Sequence, residues 1–261
     1  MKRIHLFEIE DQSWFPNWMR ICMTRTLNAM HRLFKTPDTL SELLDKVLKQ
    51  TKTDTIIDLC SGSGGPMIPT VELLKDKYGY KDLKLTLTDL YPNEKAAKAL
   101  NTDGNDAITY QTTSVDATKV GTELKGLRTM ICSFHHMTPE NAKKILQTAK
   151  ASQQPICVYE ISDNAPPNFV NFLTLPLTFI VCLVVTLFVR PMTWQQVVFT
   201  YLIPILPICF AWDGAVSNVR TYTMKDMDEL LEGWQDETYT WEKGLIGEGN
   251  MKRSYLIGMP D

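Results

Sequence analysis

The 261-residue sequence predicts an α/β protein: a mostly parallel sheet with helices on both faces, interrupted by a hydrophobic helical insertion. Three observations carry this reading. Short apolar runs suited to strands alternate with helical stretches through residues 53–161. Three of the runs end in a carboxylate, at Asp58, Asp89 and Asp116. Between Asn164 and Trp212 the only charged residue is Arg190, whereas charges recur every few residues elsewhere.

In order along the chain, residues 53–59 read as a strand, and a glycine-rich turn leads to a helix over 67–78. A strand over 83–88, a helix over 95–101 and strands over 108–115 and 128–134 follow. Residues 139–151 read as a helix and 155–161 as a strand. After the apolar block come a helix over 224–234 and two strands, 238–245 and 252–259. Ahead of the alternation, residues 13–35 read as a helix with Pro16 in its first turn, and 39–49 as a second helix. This gives an N-terminal amphipathic extension (1–38), a ligand-binding core (39–163), the insertion (164–222) and a closing helix and hairpin (223–261).

Composition removes several classes. A hydrophobic fraction of 44%, a charged fraction of 22% and a net charge of −3 fit a globular protein and give no global pull toward nucleic acid. The six cysteines form no C-x-x-C pair, which argues against a zinc ribbon and suits a reducing compartment. Residues 1–11 hold Lys2, Arg3, Glu8, Glu10 and Asp11 rather than an apolar run, so no signal peptide is expected there.

The segment DTIIDLCSGSGGP, residues 54–66, carries the most chemistry. A strand delivers Asp58; Cys60, Gly62, Gly64 and Gly65 then turn into a helix whose N-terminus offers backbone N–H groups. Asp89, ending the next strand, suits the hydroxyls of a ribose, and Asp116 suits an adenine amino group. A nicotinamide dinucleotide and S-adenosylmethionine both meet this description. The dinucleotide fingerprint wants a third glycine where Met67 stands, and Asp58 would repel a pyrophosphate but pair with an α-ammonium. Charge therefore favours S-adenosylmethionine.

Asp58-x-Cys60-x-Gly62-x-Gly64-Gly65, the acidic strand end at Asp89 and the run Val115-Asp116-Ala117 resemble the cofactor motifs of class I S-adenosylmethionine-dependent methyltransferases. The closing helix and two strands resemble that family's ending, and Cys60 departs from its usual first glycine. The resemblance implies a Rossmann-like, seven-stranded, mostly parallel sheet. It implies that Asp58, Cys60, Gly62 and Gly64 line the methionine end, that Asp89 holds the ribose and Asp116 with Ala117 the adenine, and that Leu90 is a further cofactor-binding residue. Ser133 and Phe134 would flank the sulfonium, and His135 and His136 would face the transferable methyl. Histidine accepts a proton near neutral pH, so these two are the catalytic candidates; the competing reading is a strand-end hydrogen bond or helix cap.

On the acceptor side, Glu160 ends the fifth strand and points to the same sheet edge. Asp213 reads as an Asp-Gly turn or as a polar anchor at the mouth of an acceptor pocket, with Arg220 and Tyr222 nearby. The apolar block offers about 20 residues on each side of Arg190-Pro191, the length of a bilayer-crossing helix. A crossing hairpin, a re-entrant hairpin and a greasy lid on the domain all fit. The basic, tryptophan-bearing helix over 13–35 would add a membrane contact. The expectation is a membrane-associated methyltransferase that uses S-adenosylmethionine on a hydrophobic or lipid-like acceptor, with the catalytic domain facing the cytoplasm and no metal. The rivals are a non-catalytic membrane scaffold of the same fold and a membrane-anchored NAD-dependent oxidoreductase.

Overall fold

Seven strands, β1 (Thr55–Asp58), β2 (Lys84–Leu87), β3 (Ile108–Tyr110), β4 (Leu127–Ile131), β5 (Ile156–Glu160), β6 (Tyr239–Ile246) and β7 (Arg253–Pro260), form one sheet in the order β3-β2-β1-β4-β5-β7-β6. The computed structural model describes residues 1–102, 106–234, 237–249 and 252–260. Its contacts divide the chain into a larger unit, residues 37–161 with 224–261, and a smaller one, residues 1–36 with 162–223.

The larger unit holds the sheet. Strands β1 to β5 pair in parallel, β7 runs antiparallel to β5, and β6 antiparallel to β7. Strand order reverses at β1, which has β2 on one side and β4 on the other, with Asp58 level with Leu87 and Thr129. Ligands of open parallel sheets bind outside the carboxyl ends of the strands at such a switch point. Helices α2 (Thr36–Thr51), α3 (Met67–Tyr78), α4 (Glu94–Thr102), α5 (Pro139–Ala151) and α10 (Met224–Leu230) belong to this unit apart from Thr36. Leu40, Leu44 and Val47 of α2 and Val71 and Leu74 of α3 join Ile56, Leu85 and Leu127 of the strands in one fully buried core. Helix α3 stops at Gly79, left-handed at φ 83°, whose N–H closes on the Leu74 carbonyl. Helix α5 starts at Thr138, whose hydroxyl accepts the Asn141 N–H, with Pro139 at its first position.

Three elements end three or more residues earlier than the sequence predicts. Strand β3 ends at Tyr110 rather than residue 115, because exposed Thr112, Thr113 and Ser114 have no apolar face to pair, and the Ser114 hydroxyl donates to the Leu90 carbonyl. Strand β4 ends at Ile131, because Cys132 turns to φ 55° and Phe134–His136 coil into a 3₁₀ turn. Helix α10 ends at Leu230, ahead of Gly233 at φ 79°.

The smaller unit is helical. It contains α1 (Asn17–Leu33), α6 (Asn168–Leu173), α7 (Leu175–Thr186), α8 (Trp194–Val197), a π-helical turn (Val198–Leu202) and α9 (Ile205–Arg220). Pro16 caps α1, so residues 13–16 of the predicted helix lie ahead of the observed one. Phe15, Met19, Cys22 and Met23 pack with Leu206 and Cys209 of α9, and Ala29 packs with Val185 and Val189 beside α7.

The apolar block thus breaks into short helices instead of two of about 20 residues. Helix α7 has 12 residues, about 18 Å against a bilayer core of about 30 Å. Pro204, which has no N–H to donate, precedes α9. Among the described residues no single helix is long and apolar enough to cross a membrane; the pair Trp194–Leu202 and Ile205–Arg220 has the composition but bends by 79° at its break. Helix α9 also runs straight through Asp213-Gly214, where the sequence suggests a turn. Asp213 is buried there, and its carboxylate accepts the backbone N–H groups of Ile9 (2.6 Å) and Glu10 (3.1 Å).

Candidate active site

The carboxyl edge of the sheet gathers the motif residues of the larger unit. The loop after β1 is tied to both neighbouring strands: Leu59 N–H donates to the Thr129 carbonyl (2.8 Å) and Ser61 N–H to the Thr88 carbonyl (2.9 Å). Cys60, Gly62 and Gly64 all take left-handed backbone, at φ 57°, 56° and 92°. A Cβ on Gly64 would stand 2.7 Å from Ile68 Cδ1, whereas one on Gly62 would meet nothing within 4 Å. Gly64 is favoured by its left-handed backbone and by the nearby tip of Ile68, which a Cβ would have to displace, and Gly62 borders open space.

Asp89 holds this loop from β2: one carboxylate oxygen accepts the Gly62 N–H and the other the Tyr91 N–H, both at 2.9 Å. Leu90 beside it is exposed. Tyr110, on β3, donates its hydroxyl to the Gly62 carbonyl at 2.8 Å and accepts the Asn93 N–H at 3.2 Å. Asp116 caps a short 3₁₀ turn at Ala117, accepting the N–H and the hydroxyl of Thr118 at 2.8 and 2.7 Å. The hydroxyl bond foremost holds its carboxyl below the usual range.

Asp58 lies below the loop, 3% exposed, with the Thr129 hydroxyl donating to it at 2.6 Å. Burial pushes its carboxyl up to about 7; hydrogen bonds from Thr129 and Ser61 restrain the rise, and the charge of Asp89 adds to it. Burial also pushes the Cys60 thiol up to about 12, helped by the charges of Asp89, Asp58 and Asp116. Three carboxylates thus act on one thiol in the loop.

At the end of β4 the Ser133 hydroxyl is buried with no hydrogen-bond partner, and Phe134 is fully buried. Glu160, at the end of β5, takes His135 by both ends: one oxygen accepts the backbone N–H (3.0 Å) and the other meets Nδ1 (2.8 Å). Burial works to raise the Glu160 carboxyl, but the charge of His135 and these two bonds outweigh it and hold the group below its ordinary value. The His136 ring lies on that of His135, centroids 4.3 Å apart.

The remaining candidates belong to the smaller unit and form a second polar cluster. Asp213 binds the chain at Ile9 and Glu10. Buried Arg220 pairs with Glu8 and Asp11, each at 3.2 Å, and Arg3 lies 4.5 Å over the ring of buried Tyr222. Sequence reading passed over Thr129 and Tyr110. Thr129 had a signal, a hydroxyl inside the apolar run LRTMI. Tyr110 had none, since a tyrosine in a strand is ordinary.

The strand order and directions are those of the class I methyltransferase fold, and solved structures match the chain on that basis. The plantazolicin methyltransferase BpumL in complex with SAH aligns over 94% of this chain and 98% of its own, with a TM-score of 0.53 and 11% identity. The same protein with a monoazolic desmethylPZN analog and SAH gives 0.52, 12% identity and coverages of 93% and 98%. The methyltransferase domain of bacterial-CtHen1-CN gives 0.49, 15% identity and coverages of 85% and 97%. No family model and no curated protein matches the sequence. The likeness to BpumL, at its level of identity, establishes the fold.

Proposed function

We propose that the chain is an S-adenosylmethionine-dependent methyltransferase acting on a hydrophobic or lipid-like acceptor in association with a membrane. One observation carries the cofactor: the glycine loop at the sheet's switch point has Asp58 beneath it and Asp89 accepting the Gly62 N–H, with Asp116 past the end of β3. That edge repels a pyrophosphate and suits an ammonium, ribose hydroxyls and an adenine amino group. The residues fit such a ligand, because open space adjoins Gly62 and the buried Ser133 hydroxyl still lacks a partner. BpumL, of the same fold, is described in complex with SAH, the product form of this cofactor.

When bound, S-adenosylmethionine supplies an activated sulfonium methyl. Asp89 has lone pairs left that would take ribose hydroxyls, and Asp58 would answer the α-ammonium. Asp116 and the backbone at Ala117 would meet the adenine edge. Glu160 fixes the ring of His135 through Nδ1, the two histidines would orient the acceptor, and either of them in its neutral form would take its proton. Alignment for in-line attack contributes most of the rate. The nearly uncharged insertion and the exposed apolar surface of the smaller unit support a greasy acceptor and a membrane location.

Calorimetry with S-adenosylhomocysteine tests the reading: wild type binds and Asp89→Ala binds at least about tenfold more weakly. Absence of wild-type binding sinks it. Labelled-methyl transfer into a lipid and metabolite extract then identifies the acceptor, and a protein that binds cofactor but labels nothing in any extract is the scaffold instead.

A further inference from the structure

Helix α7 and the residues just after it present two apolar faces, one inward and one exposed. Val181, Cys182, Val185 and Val189 turn inward, the valines packing around Ala29 and Met30 of α1. Leu177, Ile180, Val184 and Leu187 are each more than half exposed. At 100° per residue these four fall within an arc of about 80° on the far side of the helix. The surface continues past the Arg190 turn, where Leu202 is 74% exposed and Ile203 and Ile208 about half. Such a run is far from the single scattered leucines of an ordinary surface.

The same unit carries aromatic and cationic side chains of a specific kind. Trp18 of α1 and Trp194 of α8 both lie against Phe199, with ring centroids at 4.6 and 6.5 Å. Tryptophan is the residue that favours a boundary between apolar and wet surroundings. Arg25 and Arg32 stand seven and fourteen residues beyond Trp18, on the same side of α1. Arg32, Lys35 and Arg190 are exposed, and no acidic residue occurs in 14–35 or 164–212. These two stretches therefore carry one sign of charge. Two copies meeting through them would set like charges together, whereas anionic headgroups complement them. No single described helix is long and apolar enough to cross, and the one pair with the composition bends by 79°, which favours a surface that lies along the membrane.

We propose that the smaller unit docks in the plane of an anionic bilayer, with the outer face of α7 and the Leu202–Ile203 turn in the acyl boundary, Trp18 and Trp194 at its edge, and Arg25, Arg32 and Arg190 on lipid phosphates. This deepens the membrane part of the proposed function and does not depend on the cofactor.

Full-length protein is floated with vesicles of phosphatidylcholine alone or mixed in equal parts with phosphatidylserine. Wild type floats with the mixed vesicles. The pair Leu177→Glu and Val184→Glu, at exposed positions that leave the fold intact, lowers binding at least about tenfold. Arg32→Glu with Arg190→Glu removes the preference for phosphatidylserine. Binding by neither vesicle, equal binding to both by wild type, or a lipid-free dimer that the double-glutamate variant dissociates each overturns the proposal; the last assigns the face to a second copy. S-adenosylhomocysteine calorimetry on the same samples reads the enzyme assignment separately. A protein that floats but binds no S-adenosylhomocysteine retains this face and loses that assignment.

Discussion

Glu160 grips His135 at two points, its carboxylate 2.8 Å from Nδ1 and 3.0 Å from the backbone N–H. The pair is buried, and the carboxyl is held below its ordinary value against the pull of burial. Glu160→Gln keeps the shape but removes the charge that orients and polarises the ring. The expected result is a fall in kcat of about 10- to 100-fold with unchanged S-adenosylhomocysteine affinity. The stability effect has a definite sign. A depressed carboxyl contributes stability above its unfolded value and loses it as pH falls through the lower native one. The loss lies below about pH 4.5, the ordinary value of the group, so the variant shows a flatter acid limb in urea melts. Wild-type kcat in Glu160→Gln would remove the pair from the chemistry.

Asp58 behaves oppositely. Its native carboxyl is raised from 3.8 to about 7, chiefly by burial. Between these values the native state keeps a proton that the unfolded state has released, so stability falls as pH rises through the window and levels off above it. Asn at this position still accepts the Thr129 hydroxyl and carries no titration. Asp58→Asn should therefore gain on wild type from pH 4 to pH 8, by a few kcal/mol at the upper end. Denaturant midpoints at both pH values measure this, and an equal difference at each would show that Asp58 does not titrate in the native state. If the carboxylate meets the ammonium of the cofactor, wild-type affinity for S-adenosylhomocysteine also rises as pH passes through 7.

Gly62 and Gly64 separate binding from folding. Both are left-handed, but only Gly64 has neighbours where a Cβ would go, at 2.7 Å from Ile68 and 3.2 Å from Leu87. Gly64→Ala should lose about 2 kcal/mol of stability. Gly62→Ala should lose about 1 kcal/mol and, if the space beside it holds the cofactor, weaken S-adenosylhomocysteine at least about tenfold. Equal binding losses in the two variants, after correction for unfolded protein, would deny that Gly62 borders the ligand.

The alternation of strands and helices was legible because buried parallel strands read as short apolar runs and their ends as carboxylates. Cys60 shows how far the motif could be pressed. It stands where the family pattern has glycine and takes the glycine conformation, φ 57°, a strain that sequence alone does not display. The role of Glu160 was not legible. Its place at a sheet edge could be read, but its grip on His135 depends on two loops 25 residues apart. The form of the apolar block was legible in part: Pro204 and Pro207 mark a shallow or broken second helix, but hydrophobicity over 49 residues does not show the π-turn or how short the helices become. The Asp-Gly turn failed for a related reason: hydrogen bonds from Ile9 and Glu10, some 200 residues away in sequence, hold Asp213 inside α9.

That last contact makes a prediction of its own. Asp213 accepts two backbone N–H groups from a segment that has no helix or strand of its own, and burial raises its carboxyl to about 6. The ionised acceptor is the stronger one, yet burial makes the proton harder to lose, so the bonds are fully charge-assisted only above about pH 6. Asp213→Ala removes both and should lose about 2 to 3 kcal/mol. Hydrogen exchange should show Ile9 and Glu10 amides losing protection while Leu85 in β2 keeps its own. Asp213→Asn, able to accept one N–H as a neutral group, should fall between wild type and alanine. Unaltered protection at Ile9 and Glu10 in the alanine variant would mean that the neighbouring ion pairs of Arg220 with Glu8 and Asp11 suffice to hold the segment.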